Sequence, residues 1–280
     1  MKTNLLRCWL AGVAATMILF ISPAAIAEEN TIIVQSTTST QNSGLFDFIL
    51  PQFRAETGIT VNVVAVGTGQ ALKNGRNGDG DVLLVHAKPA EIKFVRDGYG
   101  VKRYDVMYND FVIVGPKDDP AKLVGIGNAI LALQKIASSK SAFASRGDDS
   151  GTNKKELQLW EKAKVDIANH SGSWYRETGS GMGATLNIAA GMEAYTLTDR
   201  ATWIAFKNKG NLKILNEGDP LLFNQYGIML VNPKKHPHVK AKLGQTFIDW
   251  LTGENGQAAI ASYKLKGKQL FFPNAIKITN

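Results

Sequence analysis

Cysteine is almost missing from this chain: of 280 residues only Cys8 carries a thiol. Cys8 lies in an N-terminal stretch that reads as a targeting segment, so the remaining chain has no disulfide, no thiol nucleophile and no Cys-ligated metal. An oxidising compartment permits disulfides without demanding them. Histidine is scarce too, limited to His86, His170, His236 and His238. The last two flank Pro237 in a turn and do not share a helix face as paired metal ligands do. Neither a GxSxG elbow nor a Walker A loop is present. The expectation is therefore a protein that is not an enzyme and holds no cofactor or resident metal. Beyond the N-terminal stretch no apolar run approaches the roughly 18 residues of a membrane span. Long Lys/Arg runs and aromatic–basic interleaving are also lacking, which argues against nucleic acid as a partner. No internal repeat, low-complexity tract or long linker interrupts the chain.

What is present begins with export. Lys2 and Arg7 supply a short positive region, an apolar stretch covers 10–21, and Ala25-Ile26-Ala27 forms a small-x-small cleavage pattern before Glu28. Residues 1–27 are thus expected to be a cleavable signal peptide and the mature protein periplasmic. Cys8 makes a poor lipid anchor, because Arg7 precedes it and the apolar region follows it. The roughly 250 remaining residues are enough for one large domain or two lobes of ordinary size. The formal charge of +8 falls to +6 when Lys2 and Arg7 leave. That excess suits an anionic ligand, and it suits a merely soluble basic protein equally.

Short apolar runs at 31–35, 61–66 and 82–85 alternate with segments of helical period, the pattern of an α/β protein. Extended segments near 105–115 and 222–231 bracket the middle third. The last clear helix should bury Val239, Leu243, Phe247, Trp250 and Leu251 on one face and stop at Gly253. The simplest arrangement is a discontinuous lobe I (28–111 and 223–280) and a lobe II (112–222). Two crossings would join them, with the ligand in the cleft between.

Four segments concentrate hydrogen-bond donors. Thr37, Thr38, Ser39 and Thr40 lie between a buried strand and a helix start, where unpaired N–H groups and neighbouring hydroxyls can hold an anion without a lysine. A hydroxyl-rich N-cap accounts for the same residues, and both readings stay open. Gly67-Thr68-Gly69 permits close backbone approach but lacks the GxGxxG spacing, so a plain turn competes with a site. Ser145 to Asn153 holds Arg146, Asp148, Asp149, Ser150, Gly151 and Thr152 before a helix. The planar guanidinium fork of arginine matches two oxygens of an oxyanion. Asp148 or Asp149 then orients Arg146 or caps the helix, since a carboxylate facing a dianion repels it. The fourth segment includes Thr178 to Thr185, then Thr198 and Arg200. Arg200 is either a second anion contact or a local partner of Asp199. His86 follows a strand end, where it either faces the cleft or simply packs.

Taken together these segments resemble the periplasmic tungstate-binding proteins of the TupA type. The likeness spans nearly the whole mature chain. It rests on Thr37 to Gly44, Asp81 to His86, Gly115 to Pro120, Ser145 to Thr152 and Thr198 to Trp203. The resemblance implies a two-lobed type II periplasmic-binding fold and delivery of cargo to the permease and ATPase of an ABC importer. It implies tungstate as ligand, with molybdate as the nearest competitor. It also implies contacts from Thr38, Ser39, Thr68, Arg146, Ser150 and the Gly151 amide, with Thr37, Thr40, Thr152, Thr198 and Arg200 as further candidates, in a monomer.

Phosphate-binding proteins are the rival, because they share an Arg-x-Asp-x-Ser-Gly-Thr pattern, matched here by Arg146, Asp148, Ser150, Gly151 and Thr152. Near neutral pH phosphate keeps a proton and needs a carboxylate acceptor; tungstate, molybdate and sulfate do not. After the strand at 82–85 this chain has His86, Ala87 and Lys88 where phosphate binders place such an acceptor, although Asp148 keeps phosphate in contention. A secreted α/β hydrolase or phosphatase would need a nucleophile with its base, and a sensor subunit would need a receptor partner.

Overall fold

The computed structural model describes residues 30–275; the expected signal peptide and 276–280 lie outside that range. The chain opens with β1 (Thr31–Thr37), the short α1 (Thr38–Asn42), α2 (Leu45–Thr57), β2 (Thr60–Val66), α3 (Thr68–Asn77), β3 (Val82–Val85) and α4 (Lys88–Arg96). β1 pairs in parallel with both β2 and β3, and the apolar run of β3 is buried along its whole length. Continuous burial of this kind belongs to an inner strand covered on both faces.

β4 (Gly100–Pro116) is longer than the expected 105–115, and its length shapes the molecule. Seventeen residues at ~3.3 Å each reach beyond a single core. Its first part, up to Asp110, pairs antiparallel with β9. Its last part, from Phe111, pairs with β7 and β8. Between β4 and β9 the chain forms α5 (Ala129–Ser138), β5 (Phe143–Ser145), α6 (Gly151–Ala163), β6 (Tyr175–Glu177), α7 (Met182–Met192), β7 (Thr196–Asp199), α8 (Arg200–Ala205) and β8 (Leu212–Asn216). β9 (Phe223–Val231) then returns and inserts between β4 and β3. Helices α9 (Ala241–Thr252) and α10 (Glu254–Ser262) follow, then a hairpin of β10 (Lys264–Leu265) and β11 (Lys268–Gln269), and β12 (Phe272–Pro273) on the free side of β4.

The apolar side chains gather accordingly. One large cluster draws on both ends of the chain, from Ile32 to Met107 and from Tyr226 to Phe271, with Ala201 as its contribution from the middle. Two further clusters lie within 111–222. Phe247, Trp250 and Leu251 of α9 are buried as their spacing predicts, and Gly253 ends the helix. The C-terminal part also braces the first donor-rich loop: the Tyr263 hydroxyl donates to the Ser43 carbonyl at 2.5 Å. Next to it Gly44 has φ +81°, and a Cβ there would stand 2.6 Å from that hydroxyl. Glycine is required on both counts. No described helix is long and apolar enough to cross a membrane.

Candidate anion-binding site

Each donor-rich loop leaves a strand and opens a helix where the core built from the chain ends faces the core of the middle segment. In the first loop Thr37 and Thr40 satisfy one another. Thr37 caps α1 by accepting the Thr40 N–H at 3.3 Å, and their hydroxyls lie 2.8 Å apart. These two shape the loop. Thr38 and Ser39 remain: Oγ1 of Thr38 is buried without a protein partner, and Oγ of Ser39 accepts from Arg146 Nη1 at 3.5 Å. Thr68 opens α3, where the Gly67 cap has no side chain to bond the first amides. Its hydroxyl accepts the Gly151 N–H at 3.0 Å, which leaves the hydroxyl proton to donate elsewhere. Nearby the Gly69 N–H donates to the Asp149 carbonyl at 3.2 Å. Three hydrogen bonds thus join the two halves of the site.

From the other side comes Arg146, which is only 2 % exposed. Its three nitrogens point three ways: Nη2 to Asp148 at 2.6 Å, Nη1 to Ser39, and Nε to the Ser180 carbonyl at 3.4 Å. Both oxygens of Asp148 are bonded within its own loop. One holds Arg146 and the other accepts the Ser150 N–H at 3.2 Å. Ser150 caps α6 through the Asn153 N–H, and Oγ1 of Thr152, the second residue of that helix, is buried without a partner. Burial pushes the Arg146 guanidinium below its ordinary pKa, while Asp148, Asp199 and Glu156 hold it up.

Behind the arginine loop lies Glu156. Ser145 Oγ, Trp160 Nε1 and the Tyr175 hydroxyl all donate to its carboxylate, at 2.8, 3.1 and 2.7 Å. Burial outweighs these bonds and raises its pKa to about 7. The folded state therefore holds the proton more tightly than the unfolded chain does. The stabilisation this gives is complete below the ordinary pKa of 4.5 and is lost as pH rises through about 7. Glu156→Gln keeps an acceptor for Trp160 and Tyr175 and an amide that can donate to Ser145. It should flatten this dependence, gaining on the order of a few °C in Tm relative to wild type between pH 5 and pH 8. Parallel Tm–pH curves for the two proteins would contradict this account of Glu156.

Of the residues expected from sequence, Thr38, Ser39, Thr68, Arg146, Ser150 and Gly151 converge, although the Gly151 N–H expected to face the ligand is donated to Thr68, and Thr152 adjoins them. Thr37 and Thr40 support the loop from within. Thr198 lies apart, its hydroxyl donating to the Asp199 carbonyl at 3.2 Å. Arg200 was expected either as a second anion contact or as a partner of Asp199, and it is neither. Its guanidinium grips Asp110 at 2.7 and 2.6 Å and reaches Glu217 at 2.6 Å. The cause is sheet register: β7 runs antiparallel to β4 with Asp199 opposite Phe111, which sets Asp110 beside Arg200. Asp199 instead caps α8, accepting from the Thr202 amide and hydroxyl at 2.9 and 2.6 Å. Sequence reasoning missed the Ser180 carbonyl as a guide for Arg146, since any residue supplies a carbonyl.

The geometry collects a guanidinium, hydroxyls and helix-start amides, while each nearby carboxylate is already engaged. Such a site suits a ligand that only accepts hydrogen bonds. A PBP superfamily domain matches residues 23–255. The tungstate-binding protein TupA of Peptoclostridium acidaminophilum is 48 % identical over 89 % of this chain and 87 % of its own length. The chain belongs to the TupA family of the PBP superfamily. Two solved structures carry the same likeness. The tungstate-binding protein TupA from Desulfovibrio alaskensis G20 is 47 % identical with a TM-score of 0.75, covering 88 % of this chain and 99 % of its own. The tungstate ABC transporter structure from Geobacter sulfurreducens is 53 % identical with a TM-score of 0.77, covering 84 % and 99 %. In this TupA-family chain the apolar clusters form the cores of a two-lobed periplasmic binding fold. β4 runs from its pairing with β9 to its pairing with β7 and β8, and so spans from the first of these clusters to the other two.

Proposed function

We propose that this protein is the periplasmic solute-binding subunit of an ABC importer and that its cargo is tungstate, with molybdate next. It acts as a monomer, released from a signal peptide covering 1–27, and hands its ligand to a permease coupled to an ATPase. Lobe I takes 28–111 and 223–280, and lobe II takes 112–222. The anion sits between Thr38, Ser39 and Thr68 on one side and Arg146, Ser150 and Gly151 on the other, with Thr152 as an additional donor. The observation that carries this reading is the orientation of Asp148, whose two oxygens are spent on Arg146 and the Ser150 amide. Both oxygens are thereby directed at the arginine loop, so a fully deprotonated dianion fits better than an ion whose proton needs that carboxylate.

Selectivity tests the reading. A phosphate proton aimed at N–H and O–H groups, or a donor left unpaired in a buried site, costs roughly 1–3 kcal/mol per group. Sulfate is smaller than tungstate and stretches the bonds of a cage fitted to the larger ion. In competition calorimetry we expect tungstate at least as tight as molybdate, both far above sulfate, and phosphate last. Phosphate binding tightest would mean that Asp148 turns to face the ligand, and the tungstate assignment would fail.

A further inference from the structure

His86 takes no part in the contacts assigned above, yet it is buried where the two lobes meet. It follows β3, and on its far side lies Gly151. A Cβ built on Gly151 would stand 2.8 Å from His86 Cε1 and 2.9 Å from its Nδ1, so the ring edge forms the seat on which Gly151 rests. The same amide crosses to Thr68. The ring is fixed from behind: it stacks on Tyr226 with centroids 4.8 Å apart. Its Nδ1 lies 3.1 Å from Asn224 Oδ1, and Asn224 Nδ2 donates to Asn109 Oδ1 at 2.7 Å. Because the Asn224 amide nitrogen is committed to Asn109, its oxygen can only accept. Nδ1 therefore carries the hydrogen and the neutral ring has its lone pair on Nε2. Asn224 lies on β9 and Asn109 on β4, so the chain of bonds runs from the Gly151 seat to both strands that join the lobes.

We infer that His86 is a positioning residue for ligand capture: in its neutral Nδ1–H form it seats Gly151 against Thr68, and protonation of the ring opposes lobe closure. This role rests on the anion site proposed above. It involves no contact with the metal centre of the oxyanion, which the protein meets only through its oxygens.

The charges around the ring set the sign. Arg146 faces it from lobe II, and burial, the largest influence, pushes its pKa down to about 4; the Asn224 bond opposes this and Arg146 adds to it. Lys88 from α4 and Lys154 and Lys155 from α6 line the flank of the same interface, with Asp149 as the carboxylate among them, paired to Lys154. Asp199 acts on Arg146 and on Tyr226, whose phenol burial keeps neutral. Opening the lobes withdraws Gly151 and Arg146 from the ring edge and moves its pKa toward the ordinary value of about 6.5. Closure then expels a proton as pH falls below that value, and affinity drops between about pH 6.5 and pH 4. A full shift would cost about 30-fold at pH 5, and a bound dianion offsets part of it, so about 10-fold is expected.

The test is tungstate titration of the full-length mature protein, at micromolar concentrations, from pH 7.5 to pH 5. Wild type should bind about 10-fold more weakly at pH 5. His86→Asn offers Asn224 a donor but cannot take up a proton. It should bind at least about 3-fold more weakly than wild type at pH 7.5, because the shorter side chain no longer seats Gly151, and show less than about 3-fold change across the range. His86→Gln serves as the second variant if His86→Asn unfolds in a thermal melt. A decline of equal steepness in wild type and variant would assign the effect to Glu156 or Asp199 and overturn the role of His86. Wild type that binds no oxyanion at any pH would sink the site itself and this role with it.

Discussion

Replacing Arg146 with glutamine should weaken tungstate binding by about 100-fold, while leaving the fold intact. A hydrogen bond to a charged group contributes roughly 1.5–3 kcal/mol, which corresponds to about 10- to 150-fold. The upper end is expected here, because Arg146 is the cation that Asp148, Asp199 and Glu156 surround. Without it a dianion would meet those carboxylates with less compensation. Lysine should not restore the affinity. Arg146 directs three nitrogens to Ser180, Ser39 and Asp148, and a single ammonium on a flexible stem cannot hold all three. Calorimetric titration of both variants, with a thermal melt as control, measures this. Unchanged affinity in Arg146→Gln would place the anion elsewhere in the molecule.

Gly151→Ala should be nearly as damaging, for a reason that involves no charge. Gly151 is the first residue of α6, and its φ lies outside the left-handed region, so alanine suits the helix itself. The added Cβ, however, would meet His86 at 2.8 Å and the Thr68 hydroxyl at 2.9 Å, both across the lobe interface. Overpacking of this kind costs about 1–3 kcal/mol, and the lost Gly151–Thr68 bond about 0.5–1.5 more. At about 1.4 kcal/mol per factor of ten, ligand capture should weaken by at least about 10-fold. The variant should melt close to wild type when unliganded, since neither lobe core is touched. Solution scattering should show wild type contracting with saturating tungstate and the variant contracting less. Full contraction and unaltered affinity in Gly151→Ala would remove the lobe contact from the binding mechanism.

The sequence alone was informative wherever the determining interactions are local. Alternation of apolar runs with helical spacing marked an α/β chain, and Phe247, Trp250, Leu251 and the stop at Gly253 were legible in α9, whereas Val239 precedes that helix, Leu243 is half-buried and α10 went unread. A hydroxyl cap at the start of α1, where Thr37 accepts from Thr40, and the pairing of Arg146 with Asp148 act over two or three positions, whereas the cap of α6, expected from Asp148 or Asp149, is Ser150. Such contacts follow from backbone geometry, so the residue types at that spacing announced them. What the sequence left open depended on partners far along the chain. Arg200 read as a candidate for the anion until the register of β7 on β4 set Asp110, 90 residues away, beside it. His86 read as either facing the cleft or packed until β9 returned to place Asn224 behind it, 138 residues on. The sequence offered Asp148 as an acceptor or as a guide for Arg146, and the tertiary structure decided for the guide. A side chain's chemistry is written in its own residue, but its direction is set by whatever the completed sheet brings against it.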